Sequence, residues 1–150
     1  MSQQQRIYLD DLAVGQQFTS QAHQMDAAQI VAFAQQFDPQ PFHLDAEAAK
    51  DSVFQGLAAS GWHTAAITMK LVVASLPLGS GIVGAGLEAQ WPQPTRATDA
   101  LHVVSTVLEI VPSRSKPDRG MVTVECRTLN QHGELCQRMV SKLLVMRRPA

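Results

Sequence analysis

Apolar positions follow two different periods along this chain, and the change between them separates a helical first half from a strand-rich second half. Residues 16–24 read as a short strand leading into a helix. The helix start is marked by Asp26 as N-cap, by Gln29 as its capping-box partner, and by Met25 and Ile30 at the positions of a hydrophobic staple. Ile30, Phe33, Ala34 and Phe37 then follow helical spacing, which predicts one buried face. Pro39 ends this helix, because the residue before a proline is pushed out of the α region. Asp45 is placed to cap a short helix over Ala46–Lys50, and Ser60 to cap a longer one from Gly61 to about Leu76. In that longer helix Ala65, Ile67, Met69, Leu71, Val72 and Val73 cover almost the whole circumference, which predicts burial in the protein or in an interface. At about 1.5 Å per residue it is roughly 24 Å long, enough to cross a small domain. Pro77 and Gly79 stop it.

The remainder reads as β. Gly81–Pro92 is a Gly-rich strand, Leu101–Val111 is β-branched and long, and Met121–Leu129 alternates apolar and polar side chains. Leu135–Met146 follows the turn signal Asn130-Gln131-His132-Gly133. Short connections between these strands favour an antiparallel sheet. The fold class is therefore α+β, with a curved sheet around a long central helix.

Composition narrows the function classes. The 150 residues suit a single domain over 1–150, and 45% apolar content is enough for a core. Lys and Arg number 12 against 13 Asp and Glu, a balance that gives no reason to expect nucleic acid as a partner. No uncharged apolar run approaches the ~18 residues of a membrane span, and the first fifteen residues lack an apolar leader core, so the cytoplasm is expected. Cys126 and Cys136 fall in strand-like segments without metal-ligand spacing and read as buried reduced thiols.

The stretch FDPQPFHLD, residues 37–45, holds the candidate chemistry. Asp38 and Gln40 both precede prolines and are biased to extended geometry. A straight polyproline run would separate Asp38 from His43 by roughly 15 Å. For joint work on one bond the loop must curl, with the prolines holding the curl. A carboxylate and an imidazole, with reference pKa values of about 3.9 and 6.5, would then form a general acid–base pair. The alternative is that Asp38 caps a turn and His43 packs beside Asp45 as a polar loop residue.

Asp38, Gln40, Pro41, His43 and Asp45, with Gly61 in ASGWHT, match the Asp-x-Asn-Pro-x-His-x-Asp motif and following helix of another family. The segment from Phe33 to Val73 thereby resembles the MaoC-like dehydratases, which include the R-specific enoyl-CoA hydratases. WPQPTRATD, residues 91–99, resembles that family's Trp-x-x-Pro-Val-x-x-Gly-Asp segment. The resemblance implies a hotdog fold, a homodimer or higher homo-oligomer, and an acyl-CoA substrate with no membrane partner, no metal and no cofactor beyond the coenzyme A of that substrate. It implies a hydro-lyase: water adds to or leaves a trans-2-enoyl thioester. Asp38 would activate the water that attacks C3, and His43 would share it and move a proton to C2. Free N–H groups at Gly61 and its neighbours would meet the thioester enolate, and Gly61 would let the thioester approach the backbone. Gln40, Ser60, Gly61 and Trp62 are the candidate substrate contacts.

Gln40 stands where the motif has Asn, and Gln36-Phe37 where a small Ser-Gly precedes the Asp, so that Phe37 narrows the expected pocket. Ser60 reads first as a helix N-cap, Trp62 as a packing residue or a stacking platform, and His63 as a structural histidine beside the cap. Arg114, Lys116 and Arg119 share one inter-strand loop, either as a solvated turn or as partners of the coenzyme A phosphates. His23, His102 and His132 form no spacing pattern. Two rivals remain on the same fold: an acyl-CoA thioesterase, for which His43 would be dispensable, and a non-catalytic acyl-CoA-binding protein, which would tolerate loss of both residues.

Overall fold

The computed structural model describes residues 5–150. Residues 1–4, part of the expected single domain and of the leader-free start, lie outside the described residues. Two short strands, β1 (Gln17–Thr19) and β2 (His23–Gln24), replace the single strand expected over 16–24. Helix α1 (Ala27–Phe37) begins as its sequence requires: the Asp26 carboxylate accepts from the Gln29 backbone N–H at 2.8 Å. Gln29 closes the cap through its own amide, which donates to Asp26 Oδ2 at 2.8 Å. Met25 and Ile30 are both buried, as a staple demands. Phe37 departs from the expected buried face; it ends the helix 63% exposed, its ring 5.1 Å from that of Phe33.

The sequence reading missed α2 (Pro41–Leu44), a single helical turn. Pro41 does not interrupt it, because it sits at the first helical position, where a missing N–H costs nothing. α3 (Ala46–Ala49) follows, capped by Asp45 as expected. α4 (Gly61–Ser75) is capped by Ser60, whose hydroxyl accepts from the Trp62 N–H at 3.2 Å.

β3 (Val83–Gln90), β4 (Ala100–Pro112), β5 (Arg119–Leu129) and β6 (Leu135–Met146) complete one antiparallel sheet ordered β1-β4-β5-β6-β3, with β2 also on β4. β4, β5 and β6 form the meander that the sequence reading expects, and Gly133 takes the left-handed φ of 75° in the β5–β6 turn. β3 pairs with β6 rather than with its chain neighbour β4 and forms a sheet edge exposed along nearly its whole length.

α4 lies on β4, β5 and β6, and the core of Ile30, Leu71, Leu76, Val103, Val122 and Val124 fills the space between. This is the expected α+β arrangement of sheet and long helix. The polarity of α4 is not the expected one. Its buried side carries His63, Thr64 and Thr68 beside Ile67, Leu71 and Val72, while Trp62 (65% exposed), Met69 (44%) and Val73 (52%) face outward. The inward hydroxyls have partners: Thr68 Oγ1 is 2.6 Å from Thr128 Oγ1 and accepts from Gln137 Nε2 at 3.0 Å, and Thr64 donates to Thr95 at 3.1 Å. Among the described residues no helix is long and apolar enough to cross a membrane.

Candidate active site

The curl between Asp38 and His43 is made by α1 ending and α2 beginning. Asp38 caps the C-terminus of α1, Gln40 is extended (φ −98°, ψ 146°), and the α2 turn brings His43 back toward Asp38. His43 Nε2 lies 3.3 Å from Asp38 Oδ2. The imidazole is 4% exposed and held on its other side, where Nδ1 donates to the Ala58 carbonyl at 2.6 Å. A carbonyl only accepts, so Nδ1 carries a proton and Nε2 is left for chemistry.

Asp38 is held as well. Gln40 Nε2 donates to Asp38 Oδ1 at 2.6 Å, so the methylene by which Gln exceeds Asn is taken up in reaching this carboxylate. Burial pushes the Asp38 carboxyl up, but the Gln40 and Ser60 hydrogen bonds and the nearby His43 outweigh it, and its pKa is lowered. Asp38 is therefore an ionised base at neutral pH.

Ser60 is fully buried and joins two functions: its hydroxyl caps α4 and reaches Asp38. The Gly61 N–H has no hydrogen-bond partner among the described residues, whereas Trp62 N–H is taken by Ser60. Gly61, His43, Phe54, Thr64 and Thr95 line one cavity of about 440 Å³. Packing gives this position a reason of its own to be glycine: a Cβ there would come within 2.9 Å of the Trp91 indole.

Of the sequence-predicted site residues, Asp38, Gln40, His43, Ser60 and Gly61 come together. Gln40 serves the carboxylate rather than the open cavity. Trp62 is separate; it faces out, edge-on to Trp91 at 6.0 Å, over an apolar groove along one flank of α4. Phe37 does not narrow the cavity, which it does not line. Arg114 and Lys116 sit in the β4–β5 turn at the far end of β4 from Thr95, and Arg119 pairs with Asp118 at 2.9 Å. Thirteen residues of β4 separate the two ends, roughly 40 Å along the strand, so this loop does not meet the site of its own chain. His63 stacks on Phe33 with centroids 4.6 Å apart. Cys126 and Cys136 are free and buried, and burial pushes both thiols up.

Arg96 escaped the sequence reading, although it lies in the quoted segment 91–99. Its guanidinium donates to the carbonyls of Gly56 (3.0 Å), Leu57 (3.3 Å) and Phe54, while its backbone N–H binds Asp99 Oδ2 at 2.8 Å. It thereby fixes the 54–58 loop, which carries the Ala58 carbonyl to His43 and the Phe54 ring to Phe42.

Comparison with known proteins identifies the family. A family model described as MaoC like domain matches residues 11–129. The chain is similar to the uncharacterized protein YdeM of Bacillus subtilis (strain 168), 35% identical over 126 residues that span 82% of this chain and 87% of YdeM. It is also similar to the crystal structure of a MaoC-like dehydratase from Rhodospirillum rubrum, with 61% identity, coverage of 96% of this chain and 99% of that one, and a TM-score of 0.95. The unliganded R-hydratase PhaJ1 from Pseudomonas aeruginosa superposes with a TM-score of 0.79 at 25% identity, covering 95% of this chain and 88% of that one. With the paired Asp38 and His43 beside the start of α4, these matches place the chain in the MaoC-like family of hotdog-fold dehydratases and hydratases.

Proposed function

We propose that this protein adds or removes water across a trans-2-enoyl-CoA thioester, with Asp38 and His43 as its general acid–base pair. One observation carries the reading: the two side chains stand 3.3 Å apart, and His43 shares a cavity with the unpartnered Gly61 N–H. The names of the similar structures, a dehydratase and an R-hydratase, support the reaction class.

In the hydration direction the Asp38 carboxylate removes a proton from water as the oxygen bonds to C3. The C2=C3 electron pair moves toward the thioester, whose oxygen becomes an enolate. Gly61 N–H, at the positive end of α4, donates to that oxygen. The proton taken up by Asp38 crosses the gap to Nε2 of His43, which passes it to C2 as the enolate collapses, so one H and one OH have been added. Dehydration is the reverse. Asp38 is ionised and so free to accept a proton, and the Ala58 contact supports the role of His43 by fixing the ring.

The same reading takes 1–150 as one hotdog domain and the assembly as a homodimer. The exposed edge strand β3 and Val73 support a second copy as their cover. Two unpaired buried cysteines support the cytoplasm as its place. Light scattering checks the assembly and should give twice the chain mass.

The deciding experiment follows loss of the conjugated enoyl-thioester absorbance with crotonyl-CoA, with released thiol read in parallel. Wild type should lose the band without releasing thiol. Asp38→Asn and His43→Gln should each slow this by about 10²–10⁴-fold. Thiol release that survives His43→Gln would make the protein a thioesterase instead, and silence in both channels would leave a binding protein.

A further inference from the structure

The cavity beside His43 is not the only hollow along α4. A second one, about 360 Å³ and almost wholly apolar, lies along one flank of α4 against the sheet, lined by Ala65, Met69, Val72, Leu87, Met139 and Leu143. The two adjoin on the same helix: Gly61 and Thr64 border the first, and Trp62, Ala65 and Thr68 border the second. Among the described residues Trp91 is the one that lines both.

Trp91 is fixed in that place. Its indole N–H donates to Gln137 Oε1 at 2.9 Å, and Gln137 in turn donates to Thr68 at 3.0 Å within a buried network. Its ring fills the space left by the missing Cβ of Gly61. Two further constraints would have to fail before the ring could swing aside: the Gln137 hydrogen bond must break, and the edge-on contact with Trp62 must be lost.

We propose that Trp91 is a specificity-determining residue: it walls the His43 cavity off from the apolar groove, restricts the acyl group to short chains, and would admit long chains if cut back. The proposal rests on the acyl-thioester reading above. A thioester held at Gly61 N–H has its alkyl tail stopped at the indole face. With the indole gone, the tail continues along α4 into the groove, where each buried methylene adds affinity.

Calorimetric binding of saturated butyryl-CoA and dodecanoyl-CoA tests this without catalysis. Wild type should bind dodecanoyl-CoA no more tightly than butyryl-CoA. Trp91→Ala should bind dodecanoyl-CoA at least about tenfold more tightly than wild type does, the gain that two buried methylenes supply. The gain is read as the dodecanoyl-CoA to butyryl-CoA affinity ratio, which should rise at least about tenfold over that of wild type. Trp91→Phe, which keeps an aromatic wall, should behave as wild type. Ala65→Phe added to Trp91→Ala should remove the gain by blocking the groove itself. If Trp91→Ala does not fold, Trp91→Leu opens the wall in part and should show a smaller gain of the same sign. A wild type that already favours dodecanoyl-CoA tenfold, or an unchanged chain-length ratio in every variant, overturns the wall. Turnover of crotonyl-CoA with that unchanged ratio overturns the wall alone. Absence of any acyl-CoA binding in all variants overturns it together with the acyl-thioester reading.

Discussion

Helices α1 and α4 touch, yet they distribute polarity in opposite senses. α1 buries Ile30 and Ala34 and shows Gln35 and Gln36 to solvent, the usual amphipathic bargain. α4 turns His63, Thr64 and Thr68 inward and leaves Trp62, Met69 and Val73 outside. The difference follows from what each helix meets. α1 sends Ile30 into the apolar core, so transfer of that side chain from water favours its orientation. α4 crosses a sheet that offers it Thr128 and Gln137, and hydroxyls that find buried partners lose little on burial. Its apolar stripe is then free to face a groove and an exposed edge strand. Its N-terminus carries Ser60 and the Gly61 N–H, which has no hydrogen-bond partner among the described residues.

Substitutions can break that contrast. The largest effect is expected in α1. Ile30 is fully buried in the core, and Ile30→Ala should cost about 2–5 kcal/mol in urea unfolding, through lost burial plus a cavity. A loss under about 1 kcal/mol would show that apolar transfer does not hold α1 in place. The matching change in α4 is polar. Thr68→Val keeps the shape but strands the Thr128 hydroxyl and the Gln137 amide, and should cost about 1–3 kcal/mol. A neutral or stabilising result would mean that the inward hydroxyls are tolerated rather than needed.

The same contrast explains what the sequence disclosed. α1 was legible because its capping residues and its period agree: Asp26, Gln29, Met25 and Ile30 all do what local rules assign them. The β5–β6 hairpin was legible for the same reason, its turn residues and strand alternation being local. α4 was legible in extent but not in orientation, since hydropathy counts threonines as polar without knowing of Thr128, some sixty residues away. The place of β3 beside β6 is likewise a long-range choice that no local pattern records. Within the site, Asp38 and His43 were found by motif, while α2 was hidden because Pro41 reads as a breaker unless the helix begins on it. Trp91 and Arg96 stood in a recognised segment, but their tasks depend on Gln137 and on residues 54–57, which only folding brings near.

The smallest effect expected concerns the contact between the two helices. His63 of α4 stacks on Phe33 of α1, nearly parallel at 5° between ring planes, and its Nδ1 is buried with no hydrogen-bond partner. The charged groups nearby offer protonated His63 no relief: His23 on β2 carries the same sign when charged, and Lys70 Nζ stands 3.4 Å from the His23 ring. Burial lowers the His63 pKa, with His23 adding to the shift. In the unfolded chain the same imidazole titrates near 6.5. Below that pH, and down to the folded-state pKa, the unfolded state binds more protons, so stability is complete above about pH 6.5 and falls as pH drops through that window. Unfolding midpoints at pH 7.5 and 5.5 should therefore differ more in wild type than in His63→Phe, which keeps the stack on Phe33 and cannot take up a proton. If the two proteins lose stability in parallel, the acid sensitivity belongs to another group, and the α1–α4 contact is as indifferent to charge as the rest of α1.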